Sequence, residues 1–149
     1  MPRHAEKKAL PFTPEQMFDL VIRVEDYPQF LPWCVATRVN SRSGDPMGEG
    51  ELTADMLIGF KMFRESYTSK VDFRRPHHIN VHYQKGPFKY LENHWVFEPH
   101  DGGCLVDFHV AFEFTSRILE KAIGAVFVEA VHRMVHAFET RATELYGRA

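Results

Sequence analysis

At 149 residues, 44% hydrophobic and 13% aromatic, the chain is the size of one domain and has apolar side chain enough for a sizeable core. A net charge of −2 gives no global pull toward nucleic acid, so DNA is set aside as a partner and only local basic patches remain. Cys34 and Cys104 are too few for a disulfide framework, and a polar first stretch without any long apolar run argues against a secretory signal or a spanning helix; the expectation is a bacterial cytoplasmic protein, peripheral on the inner membrane.

Residues 8–12 fit a short first strand. Thr13-Pro14-Glu15-Gln16 then announces a helix: Thr13 caps it, Pro14 takes the first position, where its missing N–H costs nothing, and Gln16 closes a capping box. Met17, Phe18 and Val21 give that helix one apolar face. Asp26-Tyr27-Pro28-Gln29 repeats the grammar, which predicts a second, very short helix as far as Leu31, stopped by Pro32.

From Val35 to Phe114 the period is two. Leu52, Ala54, Met56 and Ile58 share one face, as do Phe63, Glu65, Tyr67, Ser69, Val71 and Phe73 on the next run. Ile79, Val81 and Tyr83 follow, then Leu91, Asn93, Trp95 and Phe97, then Val106, Phe108, Val110, Phe112 and Phe114. Turn signals stand between the runs at Ser43-Gly44-Asp45-Pro46, Gly59-Phe60-Lys61, Arg75-Pro76, Gly86-Pro87 and Asp101-Gly102-Gly103. Such short connections predict antiparallel neighbours in a meander.

Residues 116–146 read as one amphipathic helix of ~45 Å at 1.5 Å per residue. Its stripe includes Leu119, Ile123, Phe127, Val131, Met134 and Phe138, while Glu129, His132, His136 and Thr143 mark a wet side. Thr115 or Ser116 caps its start and Gly147 ends it. A helix of that length needs a broad apolar partner, and a curved antiparallel sheet with one dry face supplies it. The expectation is an α+β single domain, residues 1–149, with the sheet wrapped around the long C-terminal helix and two short N-terminal helices closing one end. The inward aromatics then either pack as plain core or line an apolar cavity.

Polar residues interrupt the dry face. Glu65 between Phe63 and Tyr67 has to be paired, protonated, near a solvated mouth, or facing water inside a cavity, because an unpartnered buried carboxylate costs several kcal/mol. Asn93 between Leu91 and Trp95 anchors either a ligand or a backbone group, and Tyr67 and Tyr83 add hydroxyls. The histidines do not spell a metal motif. His132 and His136 have Arg133 where a zinc protease has its glutamate, and if Trp95 pairs with Phe108 then His94 faces His109 on the outer side as a solvated pair. No phosphate loop, dinucleotide fingerprint or nucleophile with an adjacent base is present, so nothing demands an enzyme.

The block Tyr27-Pro28-Gln29-Phe30-Leu31-Pro32-Trp33-Cys34 resembles the coenzyme Q-binding proteins related to START lipid-transfer domains. So do Glu65-Ser66-Tyr67-Thr68-Ser69-Lys70-Val71, Gly86-Pro87-Phe88 and Leu91-Glu92-Asn93-His94-Trp95-Val96-Phe97, together with Gly59-Phe60-Lys61. The same polyketide cyclase/dehydrase-like family contains the bacterial ribosome-association toxin. The resemblance covers nearly the whole chain and implies the helix-grip (START-like) fold, a lipid-type cavity, and a non-catalytic role as a chaperone of ubiquinone or a related isoprenoid lipid in respiration and quinone biosynthesis. Read on that basis, the ligand-binding set is Trp33, Met56, Phe63, Glu65, Tyr67, Val81, Tyr83, Asn93, Trp95, Phe108, Phe112, Phe127, Met134 and Phe138. Ubiquinone is the bound ligand and no other cofactor or metal is required.

Tyr27, Phe30 and Trp33 between two prolines form a stiff aromatic corner that either locks the small helices onto the sheet or gates the cavity. In the second case Tyr27, Phe30 and an exposed Phe88 dip into a bilayer while Lys85 and Lys89 meet headgroups. The alternative function is binding to the large ribosomal subunit to block subunit joining, for which Arg38, Arg42, Arg64, Lys70, Arg74 and Arg75 supply a cationic outer face.

Overall fold

The computed structural model describes residues 3–60 and 62–147. Seven strands form one antiparallel sheet in the order β1-β7-β6-β5-β4-β3-β2. They are β1 (Arg3–Leu10), β2 (Cys34–Gly44), β3 (Glu49–Phe60), β4 (Phe63–Arg74), β5 (His78–Lys85), β6 (Phe88–His100) and β7 (Gly103–Phe114). Strands β2 to β7 are the expected meander. The first strand departs from it: it lies beside β7 at the far edge, and it runs earlier than residues 8–12 because Pro11 has no N–H to continue the ladder. Of the turn at Gly59-Phe60-Lys61, Lys61 lies outside the described residues.

Between β1 and β2 the chain makes α1 (Pro14–Ile22) and a 3-10 turn over Val24–Gln29. The α1 capping box forms as read: the Gln16 amide donates to Thr13 Oγ1 at 3.1 Å and the Thr13 amide to Gln16 Oε1 at 2.9 Å. Met17, Phe18, Leu20 and Val21 are buried, with Phe18 set edge-on to Phe97 and tilted against Phe73. Arg75 reaches back to Asp19 with both Nε and Nη2, at 3.0 and 3.1 Å, and ties α1 to the turn between β4 and β5.

The single long helix expected over residues 116–146 is two helices, α2 (Arg117–Gly124) and α3 (Phe127–Tyr146). Ser116 caps the first by accepting from the Leu119 amide, and Gly147, at φ 74°, ends the second. The chain leaves helical geometry at Val126 (φ −122°, ψ 7°), just after Gly124, the poorest helix former in the stretch. The break has a packing reason. Leu119 and Ile123 belong to a small cluster with Phe88 and Phe114, whereas Phe127, Val131 and Phe138 belong to the main core with Phe18, Trp95 and Phe97, and the redirected chain serves both. The result is the helix-grip fold, with helices held against the inner face of one curved sheet. Among the described residues no helix is long and apolar enough to cross a membrane.

Candidate functional site

Sheet and helix do not meet flush. Between the inner faces of β2 to β7 and the side of α3 lies a cavity of about 260 Å³, close to the lower end of the ~300–1,000 Å³ usual for small-molecule sites. Of the residues expected on its wall, Trp33, Met56, Tyr67, Val81, Asn93, Trp95, Phe108, Phe112, Phe127, Met134 and Phe138 are there. The alternation put their side chains on the dry face, and the helix leaves room over them.

Three expected wall residues are elsewhere. Phe63 and Tyr83 pack with Phe88, Phe114 and Leu119 in the small cluster, and the Tyr83 hydroxyl accepts from the Phe88 amide at 3.1 Å, which commits it to the β5–β6 turn. Glu65 pairs across the ladder with Ile58, close to the β3–β4 turn, and is half-buried at that end of the sheet, off the cavity wall. Asn93 does line the cavity, but its amide is spoken for: Nδ2 donates to the His109 carbonyl at 3.0 Å and Oδ1 accepts from Trp95 Nε1 at 2.9 Å. It holds the Trp95 indole in place.

The polar points that remain are hydroxyls. Tyr67 Oη donates to Met56 Sδ, at 3.2 Å, a weak acceptor. Ser69 Oγ and Thr37 Oγ1 are buried on the same wall without a hydrogen-bond partner among the described residues. The register gathers them: Met56 stands opposite both Thr37 and Tyr67, and the neighbouring inward residue Ala54 stands opposite Ser69. Burial pushes the Tyr67 phenol far above its ordinary range, so it stays a neutral donor. Ser69 shares the dry face in the sequence but is not in the ligand-binding set read from it, and Thr37 does not stand out there, because a small hydroxyl in an alternating strand looks like filler. The signal available was their inward phase.

The aromatic corner is a lock. Tyr27 is buried on the cavity wall, its hydroxyl donates to the Val21 carbonyl, and its ring meets Phe138 edge-on at 5.6 Å. Phe30 packs edge-on against Phe138 at 5.4 Å and lies under the Arg141 guanidinium at 5.4 Å. The expected exposure of Phe88 is also corrected. As the first residue of β6 it pairs with Phe114, stacks on it at 4.5 Å and turns inward, so neither Phe88 nor Tyr27 is free to enter a bilayer. Lys85 is exposed, and Lys89 reaches Glu113 at 2.9 Å. The apolar side chains that do project near the β3–β4 end are Met62, 89% exposed, and Val35, 42% exposed.

Trp33 has a backbone that tryptophan seldom adopts, φ 64°, where Cβ crowds the following carbonyl. Its carbonyl accepts from the Gly59 amide at 2.9 Å, which pins the start of β2 to the end of β3 beside the cavity. Next to it, Cys34 lies on the wall, and burial pushes its thiol up to about 11.

The outer face shows the expected pair of His94 opposite His109, rings 5.9 Å apart and nearly parallel. Burial first, against the upward pull of Glu92, holds His94 below the ordinary imidazole range. Most of the arginines and lysines proposed as a cationic face are paired with acids. Arg38 lies by Asp55, Arg42 by Glu25, Lys70 by Glu51, Arg74 by Glu49 and Arg75 by Asp19.

Comparison with known proteins adds four likenesses. Residues 10–139 match the family described as polyketide cyclase / dehydrase and lipid transport. The chain is 39% identical to the ribosome association toxin RatA of Rickettsia prowazekii, over 93% of this chain and 94% of that one. It is 35% identical to the mitochondrial coenzyme Q-binding protein COQ10 homolog B of Xenopus laevis, over 97% of this chain and 59% of the longer relative. In three dimensions it is similar to the 18 kDa protein CC1736 of Caulobacter crescentus, solved in solution, with a TM-score of 0.80, 34% identity and 99% of each chain covered.

Proposed function

The chain belongs to the polyketide cyclase / dehydrase and lipid transport family, and from that premise we propose that it is a non-catalytic carrier of ubiquinone or a related isoprenoid lipid. The observation that carries this reading is the apolar cavity, where Ser69 Oγ and Thr37 Oγ1 have no hydrogen-bond partner among the described residues and the Tyr67 hydroxyl has the weak acceptor Met56 Sδ. Quinone carbonyls are acceptors, and Tyr67, Ser69 and Thr37 are donors without strong partners. The tail then lies along Trp95, Phe108, Phe112, Phe127, Met134 and Phe138, where each buried CH₂ contributes about 0.8 kcal/mol. The name of the Xenopus relative supports the same cargo. Carriage asks for no metal or further cofactor, and phenols held neutral by burial suit binding better than acid–base chemistry.

Collection from a membrane is part of the proposal. Met62 and Val35 offer apolar contact at the β3–β4 end and Lys85 is an exposed cation for headgroups. Native mass spectrometry of protein from a quinone-producing host, with lipid identification, tests the reading. A bound isoprenoid quinone is the expected result; a reproducibly empty protein that also fails to bind short-chain quinones refutes it.

The second reading, binding to the large ribosomal subunit, draws support from the near full-length likeness to RatA. Against it stands the pairing of the outer-face cations, which leaves few charges to exchange for counterions on RNA. Co-sedimentation with 50S subunits that is lost at higher salt would favour it.

A further inference from the structure

We propose that Glu92, His94 and His109 form a binding site for a first-row divalent transition ion of the zinc type, on the outer face of the sheet and separate from the cavity. The strand register builds it. Asp72, Asn80, His94 and His109 stand side by side across β4, β5, β6 and β7, and the next rung carries Lys70, His82, Glu92 and Ala111. Glu92 and His94 are two apart on β6, so both point outward, and His109 faces His94 from β7. Glu92 stands between His82 of β5 and the methyl of Ala111 on β7, and the small alanine leaves its carboxylate room to lean toward the imidazoles. One donor atom from each of the three residues lies within 4.8 Å of the others.

The tautomer is set from behind. Asp72 accepts from Asn80 Nδ2 at 3.0 Å and meets His82 Nε2 at 2.6 Å. That leaves the Asn80 oxygen facing His94 Nδ1 at 3.0 Å, so this nitrogen carries the proton and donates. The lone pair of His94 is therefore on Nε2. Asn80 and Asp72 act here as the outer hydrogen-bonded partners that orient ligating imidazoles elsewhere. A second observation is independent of this: His109 Nδ1 is shielded from solvent and has no hydrogen-bond partner among the described residues, an expensive state for a ring nitrogen unless something else engages it. Two imidazoles and one carboxylate suit zinc and its borderline neighbours, and three protein ligands leave a position open beside the exposed Glu92. His132 and His136, four apart on α3 and both exposed, serve as the control; His136 Nε2 lies 3.5 Å from the Thr140 hydroxyl, a weaker orienting partner than the Asn80–Asp72 pair.

The test is calorimetric titration of the tag-free full chain with zinc chloride at neutral pH, repeated with cobalt(II) to read coordination from its visible absorption. One equivalent is expected, weakened at least about 10-fold by Glu92→Gln, an exposed position where folding is not at stake, and roughly 10- to 100-fold by Asn80→Ala, the loss typical of a removed orienting partner. His136→Ala is expected to change it by less than about twofold. No equivalent of zinc bound below about 100 µM, or one that survives Glu92→Gln and disappears with His136→Ala, overturns the assignment.

Discussion

Replacing Tyr67 by phenylalanine separates a binding hydroxyl from a structural one. In the empty protein the Tyr67 hydroxyl donates, among the described residues, to Met56 Sδ at 3.2 Å, so part of its hydration is lost without a strong hydrogen bond in return. Unpartnered burial of a hydroxyl costs roughly 1–3 kcal/mol on protein scales, and the contact with sulfur recovers some of that. Tyr67→Phe keeps the ring against Phe88, which it meets edge-on at 5.2 Å. The empty variant is therefore expected to match wild-type stability or exceed it by up to about 1 kcal/mol. Quinone binding moves the other way. A net hydrogen bond of about 1 kcal/mol corresponds to a loss of roughly fivefold in affinity. Urea denaturation of the empty protein gives the first quantity, and quenching of Trp95 and Trp33 by a short-chain quinone gives the second. A variant destabilised by more than about 1 kcal/mol with unchanged quinone affinity would show that the hydroxyl supports the fold and not the ligand.

Burial pushes the thiols of both Cys34 and Cys104 up to about 11. Unfolded thiols ionise near ~8.5, so from there to about 11 the native chain holds more protons than the unfolded one. Their contribution to stability is full below that window and falls as pH rises through it, and urea midpoints between pH 8 and 10.5 should fall less in the Cys34→Ser/Cys104→Ser variant than in wild type. Phe18→Ala is expected to cost about 3–5 kcal/mol by the same assay, because the ring is buried against Phe73 and Phe97; a loss under about 2 would mean that α1 is loosely seated. At Trp33, whose φ is 64°, Trp33→Gly should be more stable than Trp33→Ala by about 1 kcal/mol, since both lose the indole and only glycine is at ease there; equal stabilities would show that the backbone is not held under strain.

What the sequence made legible was local. The capping box at Thr13, the inward phase of β3 to β7 and the meeting of His94 with His109 follow from spacing alone, because each strand has one dry face and each turn fixes the register of the next. The misplacements concern non-local geometry. Nothing near β1 says that it will travel to the far edge and pair with β7. Gly124 sits in an otherwise unbroken apolar stripe, and only the existence of two clusters explains why the helix turns there. Phe88 follows Gly86-Pro87, which reads as an exposed turn, yet its rung opposite Phe114 folds it inward. Phe63 and Tyr83 share their phase with Tyr67 and Val81, and which inward side chains line a hollow depends on where α2 and α3 divide the space above them.

The hollow itself bears on the choice between a carrier and a surface-acting protein. At the ~24 cal/mol per Å³ measured for sealed cavities left in protein cores, a hollow of about 260 Å³ sets an upper bound of roughly 6 kcal/mol on the cost of leaving it empty. That is comparable with the whole net stability of a domain, about 5–15 kcal/mol. The same chain shows that it can pack aromatics closely away from the cavity, as where Phe18 meets Phe73 and Phe97. A protein acting only through its outer face gains nothing from keeping Ala54, Ser69 and Ala130 small beside Trp95 and Phe138, and larger side chains there would remove the cost. A ligand that enters and is stabilised by those walls accounts for the space directly. If the chain also meets ribosomes, the occupied and empty states offer two surfaces to choose between, so quinone binding and 50S binding should then compete or cooperate, since any effect of one ligand on the other's affinity is reciprocal.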